Sequence, residues 1–154
     1  LVDDAVLIRY ISKLLTEKTF RLMNPIKVAE LLAEYWSAIE ELYPECFEEG
    51  KSGNYTLLKH TGIASFTYLF PTIYSYCMME GEISKETMKK YLSYLKKPID
   101  DPRLPPDFRR PIDERWWSRA HGPSIARATS EKMFAEIAEN FAKKISIAME
   151  KEGR

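Results

Sequence analysis

Residues 61–79, TGIASFTYLFPTIYSYCMM, run for nineteen positions without a formal charge, in a chain of 154 residues of which 30% are charged. Such a stretch has to be covered, either by lipid or by the rest of the molecule. A membrane-spanning helix needs roughly 20 predominantly apolar residues. Here Thr61, Ser65, Thr67, Tyr68, Thr72, Tyr74, Ser75 and Tyr76 interrupt the apolar positions. Pro71 lacks a backbone donor and is expected to kink or break the helix near residues 67–70. The stretch therefore reads as the central helix of a helical domain, covered on most sides, its hydroxyls satisfied by neighbouring backbone. No membrane partner is expected.

The flanking sequence supplies the covering elements. Asp3 or Asp4 is placed to cap a first helix reaching about Lys18, with Val6, Tyr10, Ile11 and Leu14 on one face. Asn24-Pro25 marks a second start, since Asn caps well and Pro fits the first helical position. That helix runs to about Tyr43 with Val28, Leu31, Leu32, Tyr35, Trp36, Ile39 and Leu42 as its apolar stripe. Lys51-Ser52-Gly53-Asn54 is a loop. Asn54 is expected to cap a helical turn over 55–59 and Thr61 to cap the central helix, with Gly62 where another backbone approaches closely. Gly81 closes the central helix, and Ser84 caps another reaching about Lys96.

Residues 97–112 hold five of the nine prolines, namely Pro98, Pro102, Pro105, Pro106 and Pro111. This density predicts an extended strap without helix. Asp113 is expected to cap a short helix carrying Trp116 and Trp117. A last helix starts between residues 124 and 130, with Phe134, Ile137, Ala138, Phe141, Ile145 and Ala148 on one face. Strand signals are nearly absent. The expected fold is all-α, with five to six helices around residues 61–79 and a Pro-rich strap over 97–112, in one domain covering 1–154.

The chain opens on Leu1 rather than Met and reads as a piece of a longer protein. Acidic Asp3 and Asp4 without an apolar h-region argue against a secretory signal. Cys46 and Cys77 stand far apart in no motif, which favours reduced thiols and a cytoplasmic protein.

Basic and acidic side chains balance at 23 each, so a strongly cationic nucleic-acid binder is not the default. Residues 1–50 nevertheless carry five basic and ten acidic groups, and residues 85–132 carry twelve and seven. Two faces of opposite sign are one reading of this asymmetry, and complementarity between the halves is the favoured one. Lys85, Lys89 and Lys96 share an outer strip, with Lys90 and Lys97 beside it.

No catalytic constellation stands out. His60, His121, Cys46 and Cys77 share no metal-ligand spacing. No thiol–histidine pair is fixed by sequence, Cys77 reads as buried and inert, and no Gly-rich phosphate loop occurs. Asp100-Asp101 and Asp113-Glu114 read as solvated or capping pairs. No cofactor is expected.

The most distinctive polar segment is RLPPDFRRPIDERWWSRAHGPSIAR, residues 103–127. Arg103, Arg109, Arg110, Arg115, Arg119 and Arg127, with Trp116 and Trp117, form a candidate surface for nucleic acid or for a protein partner, because guanidinium groups bind phosphate and rings stack on bases. Against this stands a packing reading, in which the tryptophans pin the strap to the core and the arginines pair with Asp107, Asp113, Glu114 and the acidic second helix.

AEYWSAIEELYPECF followed by LLKHTGIASFTYLFPTI resembles the C-terminal helical portion of DGQHR-domain proteins, through Leu58-Lys59 and Thr61-Gly62-Ile63 above all. The match is loose over residues 10–145 and closer over 55–73. The naming Asp-Gly-Gln-His-Arg motif is absent, so no functional residue transfers. The resemblance implies an accessory helical part of a DNA-associated defence or regulatory protein. The leading expectation is a non-catalytic domain contacting another protein or the upstream portion of its own chain. A DNA-binding or regulatory module using 103–127 with the lysine strip is the alternative, and an enzyme with an unrecognised site stands third.

Overall fold

The computed structural model describes residues 4–153 of the chain, so the expected cap at Asp3 lies outside the described residues. The fold is all-α. Among the described residues there are eight α-helices and no strand, with one isolated bridge between Tyr55 and Ser118. Five helices are long: α1 (Asp4–Leu14), α2 (Pro25–Leu42), α4 (His60–Glu80), α5 (Lys85–Ser93) and α8 (Glu131–Lys151). Three are single turns: α3 (Pro44–Phe47), α6 (Pro106–Arg109) and α7 (Glu114–Trp117). The expected five to six helices correspond to the long ones together with α7.

The capping residues act as their chemistry requires. Side-chain oxygens of Asn24, Ser84, Asp113 and Ser130 accept from the backbone N–H of Ile26, Thr87, Trp116 and Met133. Gly81 ends α4 in the left-handed conformation at φ 88°.

Three local expectations give way to tertiary structure. Residues 55–59 form no helical turn; a 3-10 turn over Ser52–Asn54 precedes them instead. Helix α4 begins at His60, and the Thr61 hydroxyl donates to the Ala128 carbonyl (2.8 Å) rather than capping its own helix. Pro71 does not break α4, which continues from His60 to Glu80. Packing of α4 against α8, α1 and α5 outweighs the roughly 3 kcal/mol that proline costs in a helix interior.

The strap departs from the extended reading at a turn closed by Leu104 N–H to Asp101 O (3.0 Å) and at α6, where Pro106 takes the first helical position and its missing donor costs nothing. Ile99, Leu104, Phe108 and Ile112 are buried beneath the strap. One backbone bond closes the strap on itself, from Ile99 N–H to Arg109 O (2.8 Å), and another ties its end to the preceding turn, from Ile112 N–H to Leu95 O (2.9 Å).

The core is unusually aromatic. Phe66 of α4 packs against the rings of Trp36, Tyr43, Trp117 and Phe141. Phe141 of α8 adds Phe108 and Trp116. Each ring pair contributes about 0.5–1.5 kcal/mol beyond its buried area.

Lys144 of α8 is also fully buried, and its Nζ donates to the Arg110 carbonyl (2.7 Å). Burial pushes its ammonium down from 10.5 to about 8, partly opposed by the charge of Asp113. The unfolded chain therefore holds the extra proton between these values, and this group's contribution to stability grows as pH rises through that window. Relative to Lys144→Met, the parent should gain roughly 1 kcal/mol per pH unit between about 8 and 10 in urea unfolding. The cysteines and tyrosines that titrate nearby are common to both proteins. A pH-independent difference would show that Lys144 is not held in a low-dielectric site.

Candidate functional site

The 103–127 segment does not form a single surface. Arg103 donates from Nε and Nη2 to the carboxylate of Asp101 (3.0 and 2.9 Å) and from Nη1 to Glu150 (2.9 Å), so its charge is neutralised. Asp101 is buried and held well below the usual carboxylate range by the Arg103 side chain and backbone N–H. Arg109 donates to the Leu104 carbonyl (2.8 Å), Arg110 offers its own carbonyl to Lys144, and Arg115 is exposed. Trp116 and Trp117 are fully buried, which closes both indoles to a ligand; Trp116 Nε1 donates to the Asp107 carbonyl (2.9 Å).

The expected acidic partners are redistributed as well. Asp113 caps α7, and Glu114 pairs with Lys96 (3.2 Å). The lysine strip meets carboxylates throughout: Lys85 and Lys89 pair with Glu41 of α2, Lys90 with Glu80, and Lys97 with Glu152. Complementarity between the acidic and basic halves is thus realised through lysine more than through arginine.

Arg119 and Arg127 behave differently. They converge with Lys59, His60, Thr61 and Thr56 on a cavity of about 460 Å³ at the start of α4. Three segments are stitched together to make it. Thr56 N–H donates to Trp117 O (2.8 Å), Arg119 N–H to Asn54 O (3.0 Å), and Gly62 N–H to Thr56 O (3.2 Å). Arg127 Nη1 lies 3.2 Å from the carbonyls of Arg119 and Gly122, so backbone oxygens, not a carboxylate, orient that guanidinium. Among the described residues no carboxylate lines the cavity, and Lys59, Arg119 and Arg127 form no ion pair. The sequence signal for this site was split between two stretches some 60 positions apart.

A polar lock adjoins the cavity. Tyr10 donates to Glu131 Oε1 (2.5 Å), Tyr68 donates to Glu131 Oε2 (2.6 Å), and Lys13 and Arg9 reach the same carboxylate. Burial acts to raise the Glu131 carboxyl, but the bonds from Tyr10, Tyr68 and Lys13 outweigh it and hold the group at about 2. His60 Nε2 sits 2.6 Å from the Tyr10 hydroxyl. The single phenolic proton is committed to Glu131, so His60 presents Nε2–H to that oxygen. The cluster ties α1, α4 and α8 together.

A second concavity is apolar. It lies between α1 and α2, with a volume of about 360 Å³, and its walls include Leu7 and Ile11 of α1, Leu15 just after it, and Ala29, Ala33 and Trp36 of α2. These positions repeat at i, i+4 and i+7 or i+8, so each helix turns a continuous stripe to the groove. Three large apolar side chains next to it in sequence or on the same helices are exposed: Ile8 (62%), Leu22 (88%) and Ile26 (69%). Of these α2 walls only Trp36 belongs to the apolar stripe read from sequence; Ala29 and Ala33 lie outside it and are exposed.

Cys46 and Cys77 are both buried and free, and burial pushes their thiols up to about 12 and about 11, which makes them poor nucleophiles. Among the described residues no cluster of His, Cys, Asp and Glu has metal-binding geometry, and no helix is long and apolar enough to cross a membrane. No family model matches the chain, and no curated protein or solved structure does either.

Proposed function

We propose that the chain is a non-catalytic helical interaction domain whose α1/α2 groove docks an amphipathic helix with a basic flank. The observation that carries this reading is the groove itself, an apolar trough left open beside a densely packed core. Its length along α2, from Pro25 to Trp36, matches two to three turns of a partner helix at 1.5 Å per residue. Its charge favours one kind of partner. Glu30, Glu34 and Glu40 stand exposed on the outer side of α2 and form no ion pair among the described residues. A helix with Leu or Ile facing the groove and Lys or Arg along the α2 rim would satisfy both surfaces.

The resemblance to DGQHR-domain proteins supports an accessory role beside a DNA-associated partner. The DNA-binding alternative is weaker, because the lysine strip and Arg103 are spent on internal carboxylates.

The test uses a fluorescein-labelled helical peptide with Leu at i, i+3, i+4 and i+7 and Lys on one flank. Scrambled and Glu-flanked peptides serve as controls. The Lys-flanked peptide should bind best. Ala33→Arg, on the exposed side of α2, should fill the groove and weaken binding at least tenfold while leaving the circular dichroism spectrum unchanged. Equal binding of the scrambled peptide, or no effect of Ala33→Arg, would refute the docking role. A parent dimer that Ala33→Arg converts to monomer would instead assign the groove to a second copy.

A further inference from the structure

We propose that the cavity at the start of α4 binds a single phosphate-type dianion, free or as the terminal group of a small phosphomonoester. Three observations converge on it. Lys59, Arg119 and Arg127 all line one concavity whose lining holds no carboxylate. Arg103 of the strap and the lysines Lys85, Lys89, Lys90, Lys96 and Lys97 meet acidic partners instead. Among the described residues Arg109 and Arg115 also lack a carboxylate partner, so what sets the cavity apart is that three such basic residues line a single concavity. The guanidinium of Arg127 is also pre-oriented by the carbonyls of Arg119 and Gly122, so little order has to be imposed when an anion arrives.

The shape decides the ligand class. A nucleic-acid track presents cations in a row to successive phosphates. Here the three line one cavity, and Arg103 of the same segment is committed to Asp101 and Glu150. A lone carboxylate would satisfy one arginine fork, whereas three separate cations call for a group with more than one charge and several acceptor oxygens. The volume of about 460 Å³ falls within the roughly 300–1,000 Å³ of small-ligand pockets, so there is room for an organic carrier beside the ring of Phe134. The start of α4 adds its positive helix end in a supporting role.

The experiment titrates the full chain at matched low ionic strength with inorganic phosphate, with a nucleoside 5′-monophosphate, with the corresponding nucleoside and with single-stranded oligonucleotides of increasing length. Phosphate and the monophosphate should bind and the nucleoside should not. Tighter binding of the monophosphate would identify a carried phosphate, and equal binding a free one. Lys59→Gln and Arg119→Gln should each weaken binding about tenfold without changing the melting temperature, because neither side chain is paired within the fold. Stabilisation no greater than chloride provides, or unchanged binding by both variants, would overturn the proposal. Affinity that appears only with oligonucleotides and grows with their length would overturn it in favour of a nucleic-acid surface.

Discussion

Gly62→Ala is expected to cost at least about 3 kcal/mol and lower the melting temperature by about 10 °C. A Cβ at this position would stand 1.9 Å from the carbonyl oxygen of Leu57 and 2.4 Å from both its carbonyl carbon and its Cα. All three are backbone atoms, so no rotamer change relieves the overlap. The turn over residues 56–59 would have to lift by more than an ångström. Lifting it breaks the Gly62 N–H bond to Thr56 O and strains the Thr56 N–H bond to Trp117 O, which together hold the start of α4 against α7. Gly53→Ala is the control: nothing lies within 4 Å of its added Cβ, and its φ is not positive. It should melt within about 2 °C of the parent. Equal melting temperatures for the two variants would show that the close approach at Gly62 does not constrain the fold.

This glycine also bears on the anion cavity. Lys59 and His60 reach the pocket only because the 56–59 turn lies flat on the first turn of α4. A Gly62→Ala protein that survives at low temperature should therefore lose phosphate binding even though no lining side chain has changed. Lys59→Gln separates the effects, since it removes a charge and leaves the turn in place.

Legibility in the sequence followed the range of the interaction. Asn24, Ser84, Asp113 and Ser130 cap helices through bonds spanning two or three residues; the first three were visible as caps, and Ser130 as the far limit of where the last helix starts. The apolar face of α8 was equally plain, because Phe134, Ile137, Phe141 and Ile145 need only the 3.6-residue period. Gly62 was readable as a close approach, although its neighbour was not. What stayed hidden depends on partners far along the chain. The Thr61 hydroxyl turns from its own helix to a carbonyl 67 residues away. Pro71 sits inside an unbroken helix because its surroundings outweigh its local cost. Arg103 and Arg127 are the same residue type in the same basic stretch, yet one meets two carboxylates and the other only backbone carbonyls. Composition could not separate them, and that separation defines the candidate site.

Trp117→Ala is expected to destabilise the fold by about 3–5 kcal/mol, the usual range for emptying a large aromatic site. The indole is fully buried and packs against the rings of Trp116 (4.9 Å between centroids), Phe66 (5.6 Å) and Phe141 (6.0 Å), so its removal opens a cavity where α4, α7 and α8 meet. Its backbone carbonyl anchors Thr56, which couples this cavity to the turn beneath Gly62. Urea unfolding should show a lower midpoint with an unchanged slope, and Trp117→Phe should recover part of the loss because a ring still meets Phe66 and Phe141. Arg115→Ala, two residues away but exposed, should stay within about 0.5 kcal/mol of the parent. The two roles considered for this tryptophan predict opposite patterns. A stacking platform for bases would be dispensable for folding and essential for binding, so a stable Trp117→Ala protein with impaired oligonucleotide binding would overturn the packing role and reopen the nucleic-acid reading of the whole 103–127 segment.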